Sequence, residues 1–245
     1  MKKSILFSAI IGALLFMTSC LGEVSSNYAD TTFVYIDSDD MGTVYGKTIS
    51  PMARVIISNE MMLMNPNTIK IMSYSWDEEN GTRPIMLSGQ SYQADYVTLT
   101  GEVGDINHTS LSIIEIPEVE EPLSFLDFAD PIFSSTADFM GDNWIFQYAY
   151  EVPKGQTASV QFFKRDPAAE NSSNVFIDVH LTHSGTATGT TVERKTDYQV
   201  LNMSALRYEY LNSDIEKLDI KFVYHLKDRA EPIQSPTYNM LLKEN

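Results

Sequence analysis

One stretch of the sequence decides the fold class, and it reads Lys217-Leu218-Asp219-Ile220-Lys221-Phe222-Val223-Tyr224-His225-Leu226. Apolar residues alternate with mostly polar ones along this stretch, so that every second side chain is apolar. Because successive side chains of a strand point to opposite faces of a sheet, this alternation predicts a half-buried β-strand.

The same period of two recurs along most of the chain after residue 30. It is clear in Val175–His183 and in Trp144–Glu151, and further strands are predicted at Thr31–Asp37, Thr43–Lys47, Arg54–Ile57, Ile69–Trp76, Pro84–Leu87, Tyr92–Glu102, Leu111–Ile116, Ala158–Lys164, Thr196–Met203 and Tyr238–Leu242. Many short strands separated by turn residues are typical of an all-β sandwich or barrel. Short helices or turns are predicted only at 124–129 and 204–211, and Asn80-Gly81 predicts a tight hairpin turn.

The composition is that of a globular protein with a strongly acidic surface. The chain has 245 residues, of which 43% are hydrophobic and 20% charged, close to the values of ordinary globular proteins. Acidic residues outnumber basic ones by 33 to 17, which gives a formal net charge of −16. Such a surface gains nothing by releasing counterions from a phosphate backbone, so nucleic acid is not expected as a partner.

Residues 1–19 have the pattern of a secretory signal peptide. Two lysines precede an apolar run from Ile5 to Phe16, and twelve residues of helix reach only about 18 Å, which is too short for a hydrocarbon core of about 30 Å. The run ends at Met17-Thr18-Ser19-Cys20, which resembles a bacterial lipobox. This resemblance implies that Cys20 carries fatty acyl chains such as palmitate. The alternative is an ordinary signal peptide followed by an incidental cysteine.

Residues 20–30 are small and polar, and we interpret them as a lipidated tether. Several acyl chains on one residue hold a protein on a membrane almost irreversibly. We therefore expect a lipoprotein of the cell envelope, anchored in the outer membrane through Cys20, that faces either the periplasm or the cell surface. Cys20 is the sole cysteine, so no disulfide is expected, and no motif predicts a metal or an organic cofactor.

A boundary between two β domains is predicted at Pro117-Glu118-Val119-Glu120-Glu121-Pro122. Proline cannot continue a central ladder, and the like charges resist packing. We therefore predict an N-terminal β-barrel of the OB-like type over 31–117, a linker over 118–138 and a C-terminal β-sandwich over 139–245. The alternative is a single large sandwich with a long crossover loop.

Three segments of the second half resemble a known family. They are Gly141-Asp142-Asn143-Trp144 at the start of an aromatic strand, the strand Val175–His183 with the Ser184-Gly185 that follows it, and Tyr198–Leu206. Together with the lipobox they resemble the NigD-like bacterial lipoproteins. The resemblance implies an OB-like barrel followed by an immunoglobulin-like β-sandwich, and a function related to bacteriocin immunity. It implies no catalytic residues.

Four aromatic residues are the candidate binding residues, namely Trp76, Trp144, Tyr148 and Tyr150. Three of them share one face of a predicted strand, where their rings could stack against sugars or could form the core of the second domain. The Gly-x-Ser-x-Gly, Walker and dinucleotide-binding patterns do not occur. We therefore expect no enzymatic activity, although a hydrolase assembled from distant residues is a third hypothesis.

The clusters of acidic and histidine residues are expected to be structural. Asp37–Gly42 begins like a calcium loop, but Met41 and Thr48 stand where an EF-hand needs oxygen ligands, so an acidic turn is predicted. Asp77-Glu78-Glu79 could belong to a glycosidase cleft but is more simply the solvated tip of a hairpin. His180 and His183 are three residues apart, which places them on opposite faces of a strand.

The sequence therefore predicts a non-catalytic envelope lipoprotein that binds a protein or peptide partner. The alternative is a carbohydrate-binding module of a glycan-uptake system, which needs exposed aromatic rings. An immunity role is compatible with the acidic composition, because opposite charge speeds the encounter with a cationic toxin.

Overall fold

The computed structural model describes residues 27–49, 52–113, 122–165 and 172–243. These residues form seventeen strands, one 3₁₀ helix and one α-helix, so the predicted all-β fold is confirmed. The predicted signal peptide, Cys20 and most of the tether lie outside the described residues. Within the described ranges, no helix is both long and apolar enough to cross a bilayer.

The first half of the chain forms one mixed sheet, sheet A. Its strands are β1 (Tyr28–Ser38), β2 (Val44–Thr48), β3 (Val55–Ile57), β4 (Thr68–Trp76), β5 (Thr82–Leu87), β6 (Gln90–Tyr96), β7 (Thr98–Leu99) and β8 (Gly104–Asp105). They lie in the order β5-β6-β3-β2-β1-β4-β7, with β8 beside β4. The 3₁₀ helix Glu60–Leu63 follows β3 and buries Met61 against the sheet.

Sheet A is strongly curled, but it is not a closed barrel. Residues 77–81 join β4 to β5, although these strands lie five positions apart, which is about 24 Å in a flat sheet. A connection of this length reaches only about 21 Å when extended, so the sheet must bend. Accordingly, the Tyr28 hydroxyl in β1 donates a 2.7 Å hydrogen bond to Asp95 in β6. No pairing among the described residues joins β5 to β4 or β7, so the barrel predicted for 31–117 is an open sheet here.

The tight hairpin predicted at Asn80-Gly81 is not found, because β4 and β5 do not pair with each other. The segment is a turn: Gly81 has a φ of 66°, and the Asn80 N–H donates to Asp77 Oδ1 at 2.9 Å. The two-residue hairpin lies between β5 and β6, where Ser88 and Gly89 have φ values of 50° and 75°. Two successive positive φ values are characteristic of the type I′ turn.

The strands that follow β8 form two more sheets. These strands are β9 (Asn107–Ser110), β10 (Asp127–Phe128), β11 (Asn143–Pro153), β12 (Thr157–Lys164), β13 (Asn174–Ser184), β14 (Val192–Asn202), β15 (Lys217–Tyr224), β16 (Ile233–Gln234) and β17 (Tyr238–Leu241), with helix α1 (Ser204–Glu209) after β14. Sheet B has the order β10-β11-β14-β9. Sheet C has the order β12-β13-β15-β16, with β17 also beside β15.

Sheets B and C pack face to face as a β-sandwich. Trp144 of β11 and Phe222 of β15 meet in its core, with ring centroids 5.9 Å apart. The other face of sheet B is covered as well, because Ile145 and Val200 pack against Tyr35 of sheet A. Sheet B is thus the middle layer of the molecule, which explains why β11 buries side chains on both faces.

Segments on both sides of the predicted domain boundary take part in the sandwich. β9, which falls within the predicted first domain, pairs in parallel with β14, and Ser112 forms a bridge to Phe163. From the described part of the predicted linker, Phe125 and Phe128 are buried in the sandwich core. The chain therefore enters the sandwich before it reaches residue 117.

Candidate functional site

Helix α1 is positioned by the apolar residues on one of its faces. Met203, Leu206 and Tyr210 are buried in the sandwich core, and their spacing of three and four residues places them on one side of a helix. Asn202 Oδ1 accepts a hydrogen bond from the Ser204 N–H at 3.1 Å, which satisfies one of the free donors of the first turn.

The opposite face of the same helix is also apolar, but it is exposed. Tyr208 is 78% exposed, and Leu211, in the turn that follows the helix, is 62% exposed. Apolar residues on both faces are unusual for a short surface helix, which normally turns polar residues to water. Large apolar side chains that remain grouped at a surface are a feature of interaction sites.

These side chains line an open groove of about 560 Å³, within the usual size range of ligand sites. Its apolar wall is formed by Ile113, Ala205, Tyr208 and Leu211, and Ser110 at the end of β9 lies beside them. The groove therefore lies where the end of a strand of sheet B meets the helix that follows β14. Its residues come from three separate parts of the chain.

The polar part of the groove is an ion pair between Asp142 and Arg207. Arg207 Nε lies 2.9 Å from both carboxylate oxygens of Asp142. Arg207 Nη1 donates to the Leu241 carbonyl at 2.7 Å and to the Leu242 carbonyl at 3.3 Å. The guanidinium thus ties α1 to the turn before β11 and to the end of β17. Because these groups already bind each other, the groove favours an apolar occupant.

The carboxyl end of the helix is held by a second ion pair. Lys164 at the end of β12 is buried, and its ammonium donates to Glu209. The Tyr210 hydroxyl donates to the Ser172 carbonyl at 3.0 Å. A helix of six residues is marginal alone, so these tertiary bonds and the buried face keep Tyr208 and Leu211 in place.

The four aromatic residues predicted to bind sugars do not come together at a surface. Trp144, Tyr148 and Tyr150 face the sandwich core and are at most 4% exposed. Trp76 lies in sheet A, where its ring stacks on Tyr28 at 5.6 Å and its indole N–H donates to the Gly81 carbonyl at 2.8 Å. The apolar core outcompetes a sugar surface because burying each large ring removes about 150–250 Å² from water.

The predicted acidic turn is present, and Asp39 organises it. Its carboxylate accepts the backbone N–H groups of Thr43 at 2.7 Å, Met41 at 2.9 Å and Met86 at 3.0 Å. Burial alone would raise the pKa of Asp39, but these hydrogen bonds outweigh burial and lower it. Since Asp39 binds backbone donors of both the β1–β2 turn and β5, its role is structural.

His180 and His183 lie on opposite faces of β13, and the charge of His225 acts on His180. The His180 ring packs against Phe163 with centroids 5.1 Å apart, whereas His183 contributes to the other face of β13. Burial lowers the pKa of each ring. Within the described ranges, no three His, Cys, Asp or Glu side chains are grouped so that they could hold a metal ion.

The groove was not predicted from the sequence. Its signal was local: Met203, Leu206 and Tyr210 supply one apolar face of a helix, and Tyr208 and Leu211 supply another. The remaining lining residues are distant in sequence: the pairing of β9 with β14 brings Ile113 to the helix, and the pairing of β11 with β14 brings Asp142.

Solved structures with a similar fold come from species of Parabacteroides and Bacteroides. An uncharacterised protein from Parabacteroides merdae superposes with a TM-score of 0.55 at 7% identity, covering 88% of this chain and 100% of its own. A candidate lipoprotein from Bacteroides fragilis has a TM-score of 0.53 at 14% identity, with 89% and 98% covered. A NigD-like immunity protein from Bacteroides caccae matches at 0.48 and 11% identity, with 86% and 97% covered.

At these identities the likeness concerns the fold alone. The sequence matches no protein-family model and no curated protein.

Proposed function

We propose that this protein is a non-catalytic lipoprotein of the cell envelope that binds a protein or peptide partner in the groove beside α1. The anchor is supported by the lipobox-like Met17-Thr18-Ser19-Cys20 and by a structural neighbour described as a candidate lipoprotein. Membership of the NigD-like lipoproteins, and with it an immunity role, is the more specific form of the same proposal.

The observation that carries the proposal is the exposure of Tyr208 in α1 and of Leu211 in the turn after it, next to Leu206 and Tyr210, which are fixed in the core. Tyrosine is among the residues most enriched at the centres of protein interfaces, because a rigid ring gives a large contact area at little entropic cost. A groove of about 560 Å³ accommodates one or two such side chains from a partner.

The carbohydrate-binding alternative has lost its residue-level support. It needed at least two exposed, coplanar rings among Trp76, Trp144, Tyr148 and Tyr150, and three of these rings are buried. Trp76 is half-buried and already covered on one face by Tyr28.

The anchor is tested by replacing Cys20 with alanine. We expect Cys20→Ala to abolish incorporation of a palmitate analogue and to leave the protein soluble or unprocessed in cell fractions. Unchanged labelling and unchanged membrane fractionation would refute lipidation at this residue.

The binding site is tested by site-specific photo-crosslinking in intact cells. A photoreactive phenylalanine analogue at Tyr208 should give a discrete adduct that is lost when Leu211→Ser is added. The matched control is the same analogue at Val192, which is 53% exposed at the other end of β14, about 33 Å along the strand. Identical adducts from both positions, or none from Tyr208, would argue against the groove.

A further inference from the structure

We infer that the occupant of the groove is an apolar segment of a partner protein flanked by basic residues. This inference rests on the proposed function and specifies the chemistry of the partner. It is drawn from the lining of the groove, from the charges near it and from its distance to the predicted anchor.

The lining requires an apolar anchor. Asp142 and Arg207, the charged groups of the groove, bind each other, and Arg207 also binds two backbone carbonyls. A charged side chain that entered the groove would lose water and would meet two charged groups that already neutralise each other, which is unfavourable. An aliphatic or aromatic side chain would instead cover Tyr208 and Leu211.

The charged residues near the groove favour a partner segment that carries basic residues on either side of its apolar centre. Asp214 and Glu216 follow Leu211 closely, are exposed, and form no ion pair with any residue of the described ranges. The basic groups Lys164 and Arg207 are already paired. Lys217, the exposed basic residue nearest along the chain, is paired with Asp219. The whole protein carries a formal net charge of −16, so the potential around the groove attracts cations and repels anions.

The position of the predicted anchor favours a partner protein over the bilayer as the occupant. β1 runs about 23 Å from Tyr28 to Tyr35, and the Tyr35 ring reaches Gly141, next to Asp142 of the groove. The groove therefore lies at the far end of β1 from the tether. The eight residue steps from Cys20 to Tyr28 span at most about 29 Å, so the tether would have to extend almost completely along the body before the groove met the lipid. A partner outside the membrane meets no such constraint.

The test uses three fluorescent peptides and the mature lipoprotein in phosphatidylcholine nanodiscs. The first peptide has a Phe-Leu centre between lysines, the second has the same centre between glutamates, and the third has a Ser-Ser centre between lysines. At about 50 mM salt we expect the first to bind at least ~10-fold more tightly than either of the others. The gap between the first two should narrow at about 500 mM, where charges are screened beyond ~4 Å.

Two variants separate the two parts of the inference. Tyr208→Ser with Leu211→Ser should abolish binding of the first peptide, whereas Asp214→Asn with Glu216→Gln should reduce the preference for lysine over glutamate flanks and retain binding. Val192→Ser is the control and should change neither. Circular dichroism and the thermal midpoint confirm that each variant is folded.

Results that contradict these expectations would overturn different parts of the inference. Equal affinity for lysine and glutamate flanks removes the charge inference and leaves the groove as a binding site. A doubled mass in sedimentation that is lost in Tyr208→Ser would identify a second copy of this chain as the occupant. Binding of the peptides to nanodiscs without the protein would show that they bind lipid. Either result would overturn the inference. Adducts from Tyr208 in cells without any peptide binding would overturn the inference while the proposed function stands.

Discussion

The sandwich and sheet A are held together in different ways. The sandwich has one continuous core, in which aromatic rings from sheets B and C contact each other across Trp144 and Phe222. Sheet A has smaller apolar clusters, and its curled ends are joined by polar contacts such as Tyr28 to Asp95 and Asp39 to Met86. The stability of the sandwich should therefore depend mainly on buried area, and that of sheet A on single close contacts.

The largest effect is expected from Trp144→Ala. This ring is 1% exposed and stacks on Phe133 with centroids 4.2 Å apart, and removing a large ring from such a core costs about 3–5 kcal/mol. Urea unfolding followed by circular dichroism measures the loss. Trp76→Ala, which removes the half-buried indole of sheet A, is the matched control and should cost clearly less. Equal losses would mean that the two regions do not differ as described.

Gly46→Ala should give the next largest effect, and it tests how closely sheet A is packed. A methyl group at Gly46 would lie 2.5 Å from Val34 Cγ1 and 2.6 Å from Met61 Cε. Val34 is fully buried and cannot move away, so overpacking should cost about 1–3 kcal/mol.

The control for Gly46→Ala is a double-mutant cycle with Val34→Ala. Val34→Ala makes room for the new methyl group, so the double variant should be more stable than the sum of the two single losses predicts. Strict additivity would contradict the close contact between Gly46 and Val34.

A smaller loss of stability is expected from Asp39→Asn, which tests the hydrogen bonds that join the β1–β2 turn to β5 in sheet A. In this variant one of the two carboxylate oxygens is replaced by an amide NH₂ group, which cannot accept the N–H of Thr43 or Met86. The free energy of unfolding should therefore fall by about 1–2 kcal/mol. Asp40→Asn is the control, because its exposed carboxylate accepts one N–H, from Gly89.

The same carboxylate should make the stability of sheet A depend on pH in the acid range. Since the pKa of Asp39 in the folded protein lies below its usual value of 3.8, its contribution is complete above that value and is lost as the pH falls through the folded pKa. In Asp39→Asn this part of the acid dependence should disappear. An unchanged slope would show that Asp39 does not stabilise the fold as an anion.

The difference between the regions also explains what could be predicted from the sequence. Alternation in Lys217–Leu226 and Trp144–Glu151 predicts β15 and β11 because a strand with a continuous core on one face must be apolar at every second residue. β9 was missed because Asn107-His108-Thr109-Ser110 has no apolar alternation and is held by its parallel pairing with β14.

The curl of sheet A and the groove depend on contacts between distant residues. The period of β1 and β6 does not reveal that Tyr28 reaches Asp95, and nothing near Tyr208 reveals that Ile113 lies beside it. The alternation that correctly predicts the aromatic strand face also fits a sugar-binding surface equally well, which is why Trp144, Tyr148 and Tyr150 were candidates until their burial was known.

The smallest change in stability is expected near neutral pH. It comes from histidines in the sandwich and at its junction with sheet A. Burial lowers the pKa of His108, His180 and His183 below the usual 6.5. As the pH falls through about 6.5, the unfolded chain takes up these protons before the folded chain does, so stability should decrease. Because water reaches parts of these rings, we expect a loss of less than about 1 kcal/mol between pH 7.5 and 6.

His108 makes this last prediction a test of the junction itself. Its Nε2 lies 3.2 Å from the Ile69 nitrogen and 3.3 Å from the Ile69 oxygen, so the ring of β9 contacts β4 of sheet A. His108→Gln should flatten the dependence of the thermal midpoint on pH, as should His183→Gln within the sandwich. If only His183→Gln does so, the histidine response belongs to the sandwich alone. In that case sheet A responds to pH only in the acid range, through carboxylates such as Asp39.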